Sequence, residues 1–600
     1  MQRNLEYERD PDPEEFYIKI WAPSLDQTPP SIIVKTERDT TTSYPMAPAG
    51  DGNFTCKIRA YADMIEYRLA LADGRQFPDP FSLENQGGVH GWSVARTQQT
   101  HNRPTIDWRG VPVSKAMIME VHIGTFSQEG TFKGCIEKLD DVAALGINIL
   151  QLMPIWLTPG DRNWGYDPVS FFTLNSNYGS LADFQMLIDA AHVRGIAIVI
   201  DCVFNHLGPE GNYFSALDPQ LLSKDHTTPW GDILNLDVTP SCSRREIIFH
   251  SIDHWVGGLG VDGIRVDAGE YLRPGGDIAF LLDLAKYTRD QCCHDNPLLF
   301  LEYDLYQLTP PALSALIAPD RYDRLWNRSL LSTRPQTEEV FAKIAGALKT
   351  ITLHDDHLNI TPSGAQSENF ISFLRSHDTI GNSGKPGRNA GEDKRDLLDY
   401  LRLLLLAPST PMIFMGDEWL SDTPFHFFCR LNDVHEDDLI DSRAREFPSL
   451  MANCPSPFSP EAFVQSKLQW PGREQNEAAD ILDTIKELIA IRRTKLAGFL
   501  SNPSHLIEMD VNYKTNCAWV SWETDNGSRL HFTICRPSSA SKLPGFPGTV
   551  IYSHILNNKA GDPLFFKVVL QNPVAKASLH LENSPKPQKM RNGPPTSTNS

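Results

Sequence analysis

Two periods of apolar residues divide the chain. From about Phe16 to Leu71 apolar and polar positions alternate, as in Phe16-Tyr17-Ile18-Lys19-Ile20-Trp21 and Ser31-Ile32-Ile33-Val34-Lys35. That is the period of strands with one covered face. Ala49-Gly50-Asp51-Gly52-Asn53 interrupts it with turn formers, so the stretch predicts a small β-sandwich. A passage through Phe77-Pro78-Asp79-Pro80 and Gly87-Gly88-Val89-His90-Gly91 then reads as a joint.

From about Met117 to Arg493 the pattern becomes strand then helix, repeated. Short apolar runs predict strands at Met117 to Val121, Ile147 to Leu152, Ile196 to Asp201, Val261 to Val266, Leu298 to Leu301, Phe370 to Leu374 and Pro411 to Met415. Between the first two, Ile136, Leu139 and Val142 recur at helical spacing, and a helix from about Asp183 to Arg194 is closed by Gly195, a natural C-terminal cap. The run Ile196-Ala197-Ile198-Val199-Ile200 is apolar at every position, as in strands buried on both faces. Such alternation predicts an α/β fold, an eight-fold β/α (TIM) barrel.

A last helix carries Ile481, Ile485, Leu488 and Arg492, after which Ala518 to Trp522, Leu530 to Ile534 and Phe566 to Leu570 predict a C-terminal β-sandwich. Trp519 and Trp522 read there as an edge and a core residue. The expected division is residues 1–100 for the N-terminal sandwich and joint, 101–500 for the barrel, 501–582 for the C-terminal sandwich and 583–600 for a polar tail. The tail, rich in Pro, Ser, Lys and Asn, is expected to be disordered.

Composition narrows the function. A chain of 600 residues exceeds a single core, and several domains follow. With 55 Lys+Arg against 75 Asp+Glu the formal charge is -20, which disfavours phosphate backbones and anionic lipid as partners. No nucleic acid and no membrane partner is therefore expected. The N-terminus has no secretory pattern, and no apolar run is long enough to span a bilayer. The ten cysteines are scattered, and Cys292-Cys293 lacks zinc-site spacing, so they read as reduced thiols of a cytoplasmic protein; no EF-hand or other metal-loop pattern appears, and no required metal or cofactor is expected.

The candidate chemistry centres on Gly260-Val261-Asp262-Gly263-Ile264-Arg265-Val266-Asp267. Residues two apart in a strand share a face, so Arg265 can hold Asp267 ionised. Asp201, Asp267 and Glu302 each end or follow a predicted strand, and His377 and Asp378 lie just past another. Active sites of β/α barrels form at that rim. Carboxylates gathered there raise each other's energy unless chemistry uses them.

Asp201-Cys202-Val203-Phe204-Asn205-His206, Gly263 to Asp267, Glu302 and Ser376-His377-Asp378 stand in the order and spacing of the four motif regions of the α-amylase family of retaining glycoside hydrolases, which this chain resembles. Within that family it is most similar to the trehalohydrolase branch acting on maltooligosyltrehalose. The similar stretches include Glu120 to Phe126, Asn163-Trp164-Gly165-Tyr166-Asp167, Gly208-Pro209-Glu210-Gly211-Asn212-Tyr213 and Pro411 to Glu418.

The resemblance implies Asp267 as nucleophile, Glu302 as general acid then base, and Asp378 as acceptor of hydrogen bonds from the distorted sugar. It also implies substrate binding by Tyr166, Asp201, Asn205, His206, Arg265 and His377. The implied partner is maltooligosyltrehalose or a related α-glucan, cleaved at the α-1,4 bond beside its terminal trehalose. The chain departs from the family pattern at Gly269-Glu270, at Arg328-Ser329 after Trp326-Asn327, and at Thr379. These positions concern the leaving-group side. A glycogen branching enzyme, another amylolytic or debranching hydrolase, and a non-catalytic glycan-binding protein are the alternative readings.

Overall fold

The computed structural model describes residues 15–25, 28–36, 40–60, 62–96, 107–236, 242–273, 278–330, 340–352, 367–383, 387–389, 392–431, 433–446, 448, 453–536, 539–540, 543–556 and 564–572. At its centre eight parallel strands close into a barrel. They are β1 (Ile118–Val121), β2 (Ile149–Leu152), β3 (Ala197–Cys202), β4 (Gly263–Val266), β5 (Leu298–Leu301), β6 (Arg324–Ser329), β7 (Phe370–Phe373) and β8 (Thr410–Phe414). Closure is made where β8 pairs with β1, Glu120 lying opposite Phe414.

The two-residue period sorts each strand. Ile118, Ile149, Val199, Leu298, Phe300, Trp326, Ile371 and Met412 fill the barrel interior as a cluster of their own. Met119, Leu150, Leu152, Ile198, Ile200, Ile264, Val266 and Leu299 point outward and join the main core. Burying each such large apolar side chain contributes about 1.5–3 kcal/mol. Around the barrel, the helix Leu181–Val193 begins at a capping box between Ser180 and Asp183 and is followed by Gly195 at φ +72°, the left-handed position that glycine fills without strain.

The strand β6 does not follow from apolar patterning. Its residues Arg324-Leu325-Trp326-Asn327-Arg328-Ser329 include only two large apolar side chains. The polar positions are tolerated because they are partnered: Arg324 Nε donates to Thr410 Oγ1 at 2.7 Å and Asn327 Nδ2 to the Thr350 carbonyl at 3.1 Å.

Two antiparallel sheets precede the barrel. One joins Glu15–Trp21, Asn53–Arg59 and Ala47–Gly50, and the other is built on Ser31–Lys35, Thr41–Pro45, Met64–Ala70 and Trp92–Arg96. Their alternating buried residues, among them Ile18, Ile20, Phe54, Ile32, Tyr67 and Leu69, share one core. The Pro-rich joint is tied down at both ends: Asp79 accepts from Tyr67 Oη at 2.8 Å, and Ser170 Oγ donates to the Pro80 carbonyl at 2.7 Å.

After the barrel, Ser504–Asn512, Cys517–Thr524, Arg529–Cys535, Thr549–Leu556 and Leu564–Gln571 form one five-stranded antiparallel sheet. Where two facing sheets are predicted, the described residues place this sheet against the barrel, with Trp522 Nε1 donating to Ser367 Oγ at 3.2 Å and Arg402 Nε to Tyr552 Oη at 3.0 Å. Trp522 is fully buried, while Trp519 is half-buried. The predicted tail from residue 583 lies outside the described residues. No helix among the described residues is long and apolar enough to cross a membrane.

Candidate active site

Three neighbouring strands bring the charged residues together. Asp201 on β3 lies directly opposite Arg265 on β4, and Arg265 opposite Phe300 on β5. Two residues further on, Asp267 and Glu302 face the same interior. Arg265 is 0% exposed, with its guanidinium carbon 4.1 Å from the centre of the Trp326 ring. Its Nη1 donates to Asp201 Oδ2 and, at 3.0 Å, to Asp267 Oδ1, while Nη2 pairs with Glu302 Oε2. One cation therefore serves three carboxylates. The second oxygen of Asp267 accepts from Asn205 Nδ2 at 2.8 Å, so donors face both of its oxygens, the arrangement an anionic nucleophile requires.

Electrostatics separate the carboxylates. Burial pushes Glu302 up to about 8, with Arg265 opposing and Asp267 and Asp378 reinforcing the rise. Its side chain still shows 30% of its surface to the cavity, so solvent moderates these forces. Asp201 is raised to about 7 by burial against the pull of Arg265. Arg265 itself stays charged, since the surrounding carboxylates outweigh its burial.

A second group forms the wall beside them. His377 sits on Glu120, with Nδ1 2.8 Å from Oε1 and the His377 amide donating to Oε2 at 3.0 Å. Burial alone would lower His377, but Glu120 and Asp378 hold it up to about 9. Tyr166 stacks on the His377 ring at 4.9 Å and donates through Oη to Asp201 Oδ2 at 2.8 Å. His206 Nε2 lies 2.6 Å from the Tyr166 carbonyl, and its Nδ1 contacts Asn205 Oδ1; burial lowers its basicity. Asp378 is exposed and accepts from Asn382 Nδ2 at 3.1 Å.

These groups open onto a cavity of about 880 Å³ that Tyr166, His206, Asp267, Glu302, His377 and Asp378 all line. Asp201, Asn205 and Arg265 do not line it. They are 1%, 0% and 0% exposed, and they hold Tyr166, Asp267 and His206, and Glu302 from behind. Glu120, Trp230, Tyr271 and Arg443 were not singled out for the site. Glu120 carried a signal, as a carboxylate breaking the apolar run Ile118-Met119-Glu120-Val121, whereas Trp230 and Tyr271 meet only through the fold.

The α-amylase catalytic-domain family model matches residues 77–229. The malto-oligosyltrehalose trehalohydrolase of Arthrobacter ramosus is 32% identical over 465 residues, which cover 72% of this chain and 79% of that protein. The chain belongs to the malto-oligosyltrehalose trehalohydrolase family. A 1,4-alpha-glucan branching enzyme of Nitrobacter winogradskyi is 30% identical over 260 residues, only 39% of this chain and 36% of that enzyme. Among solved structures, that of a candidate alpha amylase from Salmonella typhimurium superposes with a TM-score of 0.78 at 26% identity, covering 93% of this chain and 97% of that one.

Two of the departures from the family pattern, at Gly269-Glu270 and at Thr379, lie on the same rim, where Glu270 and Thr379 line the cavity. Thr379 Oγ1 accepts from the Ser376 amide at 2.8 Å and so fixes the turn that presents His377 and Asp378. Ala268, just after Asp267, takes the left-handed conformation at φ 39°, which costs a residue with a Cβ about 1–2 kcal/mol. At the turn that follows, the Gly269 amide donates to the Glu302 carbonyl at 2.9 Å.

Proposed function

We propose that this chain hydrolyses the α-1,4 bond joining a terminal trehalose to a maltooligosaccharide, with retention of configuration and release of trehalose. The observation that carries the reading is the pair of carboxyl groups, Asp267 and Glu302, held by the two terminal nitrogens of one buried Arg265 at the floor of a sugar-sized cavity. The environment divides their work: donors face both oxygens of Asp267, while Glu302, pushed up to about 8, is the protonated partner at neutral pH.

In the first step Glu302 gives its proton to the glycosidic oxygen as Asp267 attacks the anomeric carbon; the C–O bond to the leaving sugar breaks and a glycosyl-Asp267 ester forms. In the second, the Glu302 carboxylate removes a proton from water, whose oxygen displaces Asp267 and restores both groups. Asp378 accepts hydrogen bonds from the ring hydroxyls, which strengthen as the ring flattens toward the oxocarbenium-like transition state. His377, kept protonated by Glu120, donates to the same sugar, and Tyr166 and His206 complete its pocket. Cys56, Cys135, Cys202, Cys292, Cys429, Cys517 and Cys535 are free thiols, which supports a reducing, cytoplasmic setting; release of trehalose would give the reaction a part in trehalose formation from α-glucan.

The test is product identification after incubation with maltotriosyltrehalose and, separately, with maltopentaose. Free trehalose from the first with little attack on the second is the expected result. Equal cleavage of both, or transfer products from maltopentaose, would refute the trehalose specificity while keeping the retaining mechanism.

A further inference from the structure

Two stretches that stand out in the sequence take no part in the chemistry above: the joint Gly87-Gly88-Val89-His90-Gly91 and the loop Gly208-Pro209-Glu210-Gly211-Asn212-Tyr213. The fold brings them together. The first is a tight turn between two strands of the N-terminal sheets, Glu84–Gln86 and Trp92–Arg96. A Cβ on Gly91 would stand 2.1 Å from the Gln86 carbonyl oxygen, so the turn closes only with glycine there. Arg68, lying over the Trp92 ring at 4.6 Å, donates from Nε to the Gly91 carbonyl at 2.8 Å and from Nη2 to the His90 carbonyl at 2.5 Å. A fixed turn therefore presents Val89 and His90 to the barrel.

Both side chains reach barrel loops. Val89, 5% exposed, packs with Leu157 and Val169 in a cluster of their own. It also fills the space over Gly211, where a Cβ would stand 2.5 Å from the Val89 Cβ. His90 Nε2 donates to Glu210 Oε1 at 3.1 Å, and His90 Nδ1 accepts from Tyr213 Oη at 2.6 Å, a division set by the carboxylate, which can only accept. The Tyr213 ring stacks on Phe77 with centres 5.1 Å apart.

Neither Val89 nor His90 lines the cavity, but the loops they grip do. Residues 163–169 carry Tyr166 and residues 206–213 carry His206. The two loops are bonded to each other: the Gly208 amide donates to the Pro168 carbonyl at 2.8 Å, and His206 Nε2 lies 2.6 Å from the Tyr166 carbonyl. Val89 bears on both, through Val169 in one and Gly211 in the other. Rings that must meet a reacting sugar in a narrow range of positions work best when their own supports are rigid.

We propose that Val89 and His90 are positioning residues: through this turn the N-terminal sheets brace both loops and so set Tyr166 and His206 for the sugar at the cleavage point. The assignment rests on the reading above that these two side chains hold that sugar.

The test measures inhibition by 1-deoxynojirimycin, a single-ring analogue that needs only the pocket of that sugar, together with kcat and KM on maltotriosyltrehalose. In the double variant Val89→Ala with His90→Ala, Ki rises about tenfold and kcat falls about tenfold while KM stays within about threefold. His90→Gln, whose side-chain amide still donates to Glu210, keeps both constants within about threefold of wild type. Ki does not depend on how much of the protein is folded, so a loss of stability alone leaves it unchanged; a Ki within about twofold of wild type in the double variant would overturn the proposal. His90→Ala alone removes a side chain that is 55% exposed and keeps the test decisive if the double variant folds poorly, with Ki rising about threefold. Should the wild type release no trehalose, the trehalose reading fails by itself, and Ki taken against maltopentaose cleavage still decides the brace. Should it cleave neither substrate, hydrogen exchange decides: faster exchange of residues 163–169 and 206–213 in the variant is expected, and unchanged exchange overturns the brace.

Discussion

Replacing Arg265 by Lys keeps a positive charge but removes the fork. In the structure Nη1 serves Asp201 and Asp267 and Nη2 serves Glu302; a single ammonium on a shorter reach can satisfy one or two of these. Losing one to two charge-assisted hydrogen bonds at about 1.5–3 kcal/mol each removes about 3 kcal/mol of support from the catalytic pair, or about a hundredfold in kcat/KM at pH 7. The loss of the flat cation over Trp326 adds about 0.5–2 kcal/mol to the destabilisation. A stability effect alone would leave the pH profile where it is. The structure demands more, because Arg265 opposes the rise of Glu302. With that opposition weakened, the alkaline limb of kcat/KM, expected near pH 8 in the wild type, moves to higher pH. The assay is kcat/KM on maltotriosyltrehalose from pH 5 to pH 10, with a thermal melt of each protein. A variant that retains activity within threefold and the same alkaline limb would refute the claim that one guanidinium organises the site.

Asp267→Asn removes the carboxylate proposed as nucleophile while keeping its shape, so turnover falls by at least about 10⁴-fold with the melt nearly unchanged; near-normal hydrolysis would place the nucleophile elsewhere. For the wild type, kcat/KM on the natural substrate falls as pH rises through about 8, where Glu302 loses its proton, and Glu302→Gln abolishes that limb while sparing an aryl glycoside more than the glucan; identical losses on both substrates would remove Glu302 from the acid role. Asp262→Asn, at the foot of β4, disturbs a buried carboxylate that accepts from His192 Nε2 and His294 Nε2, each at 2.8 Å, and from the Ile198 amide at 2.7 Å, and it lowers stability by about 3 kcal/mol at pH 6. Despite its burial Asp262 is lowered by the two histidines, so its contribution is present above the unfolded value of about 3.9 and lost as pH falls. His294 is raised to about 10, so its share is complete below about 6.5 and lost as pH rises through the folded value. Urea unfolding at pH 6 and pH 10 should therefore show a smaller deficit at pH 10; an equal deficit would separate Asp262 from the histidine charges.

How far the molecule could be read in advance depended on which physical signal each part carries. The strand β3 was legible because it is buried on both faces, which makes Ile196 to Ile200 apolar throughout. The strand β6 was not, because its stability comes from partners such as Thr410 and Thr350 that lie far along the chain. Asp267 and Glu302 could be placed because a strand end and a two-residue period need no knowledge of the fold. Burial could not be placed: Asp201 and Arg265 share the motif's sequence with Asp267, yet only packing puts them behind the cavity wall. Trp230 and Tyr271 are 41 residues apart, and nothing local in either stretch announces that they meet.

The site is a consequence of strand register. In β3, β4 and β5 the parallel pairing sets Asp201, Arg265 and Phe300 side by side. Because side chains alternate, the next inward level on β4 and β5 holds Asp267 and Glu302, and the ladder continues past the strand ends through the Asp267 amide to the Cys202 carbonyl at 3.1 Å and the Glu302 amide to the Val266 carbonyl at 3.0 Å. The barrel therefore places a cation one layer below two carboxyl groups without help from loops. A slip of one residue would turn all three outward into the helices. Gly263 guards against looser pairing, since a Cβ there would stand 1.9 Å from the Leu298 carbonyl oxygen, and close contact of β4 with β5 is what lets one guanidinium reach both Asp267 and Glu302. Site geometry and barrel stability are for this reason coupled: the backbone hydrogen bonds that close the strands also set the distance between Asp267 and Glu302, the proposed nucleophile and acid.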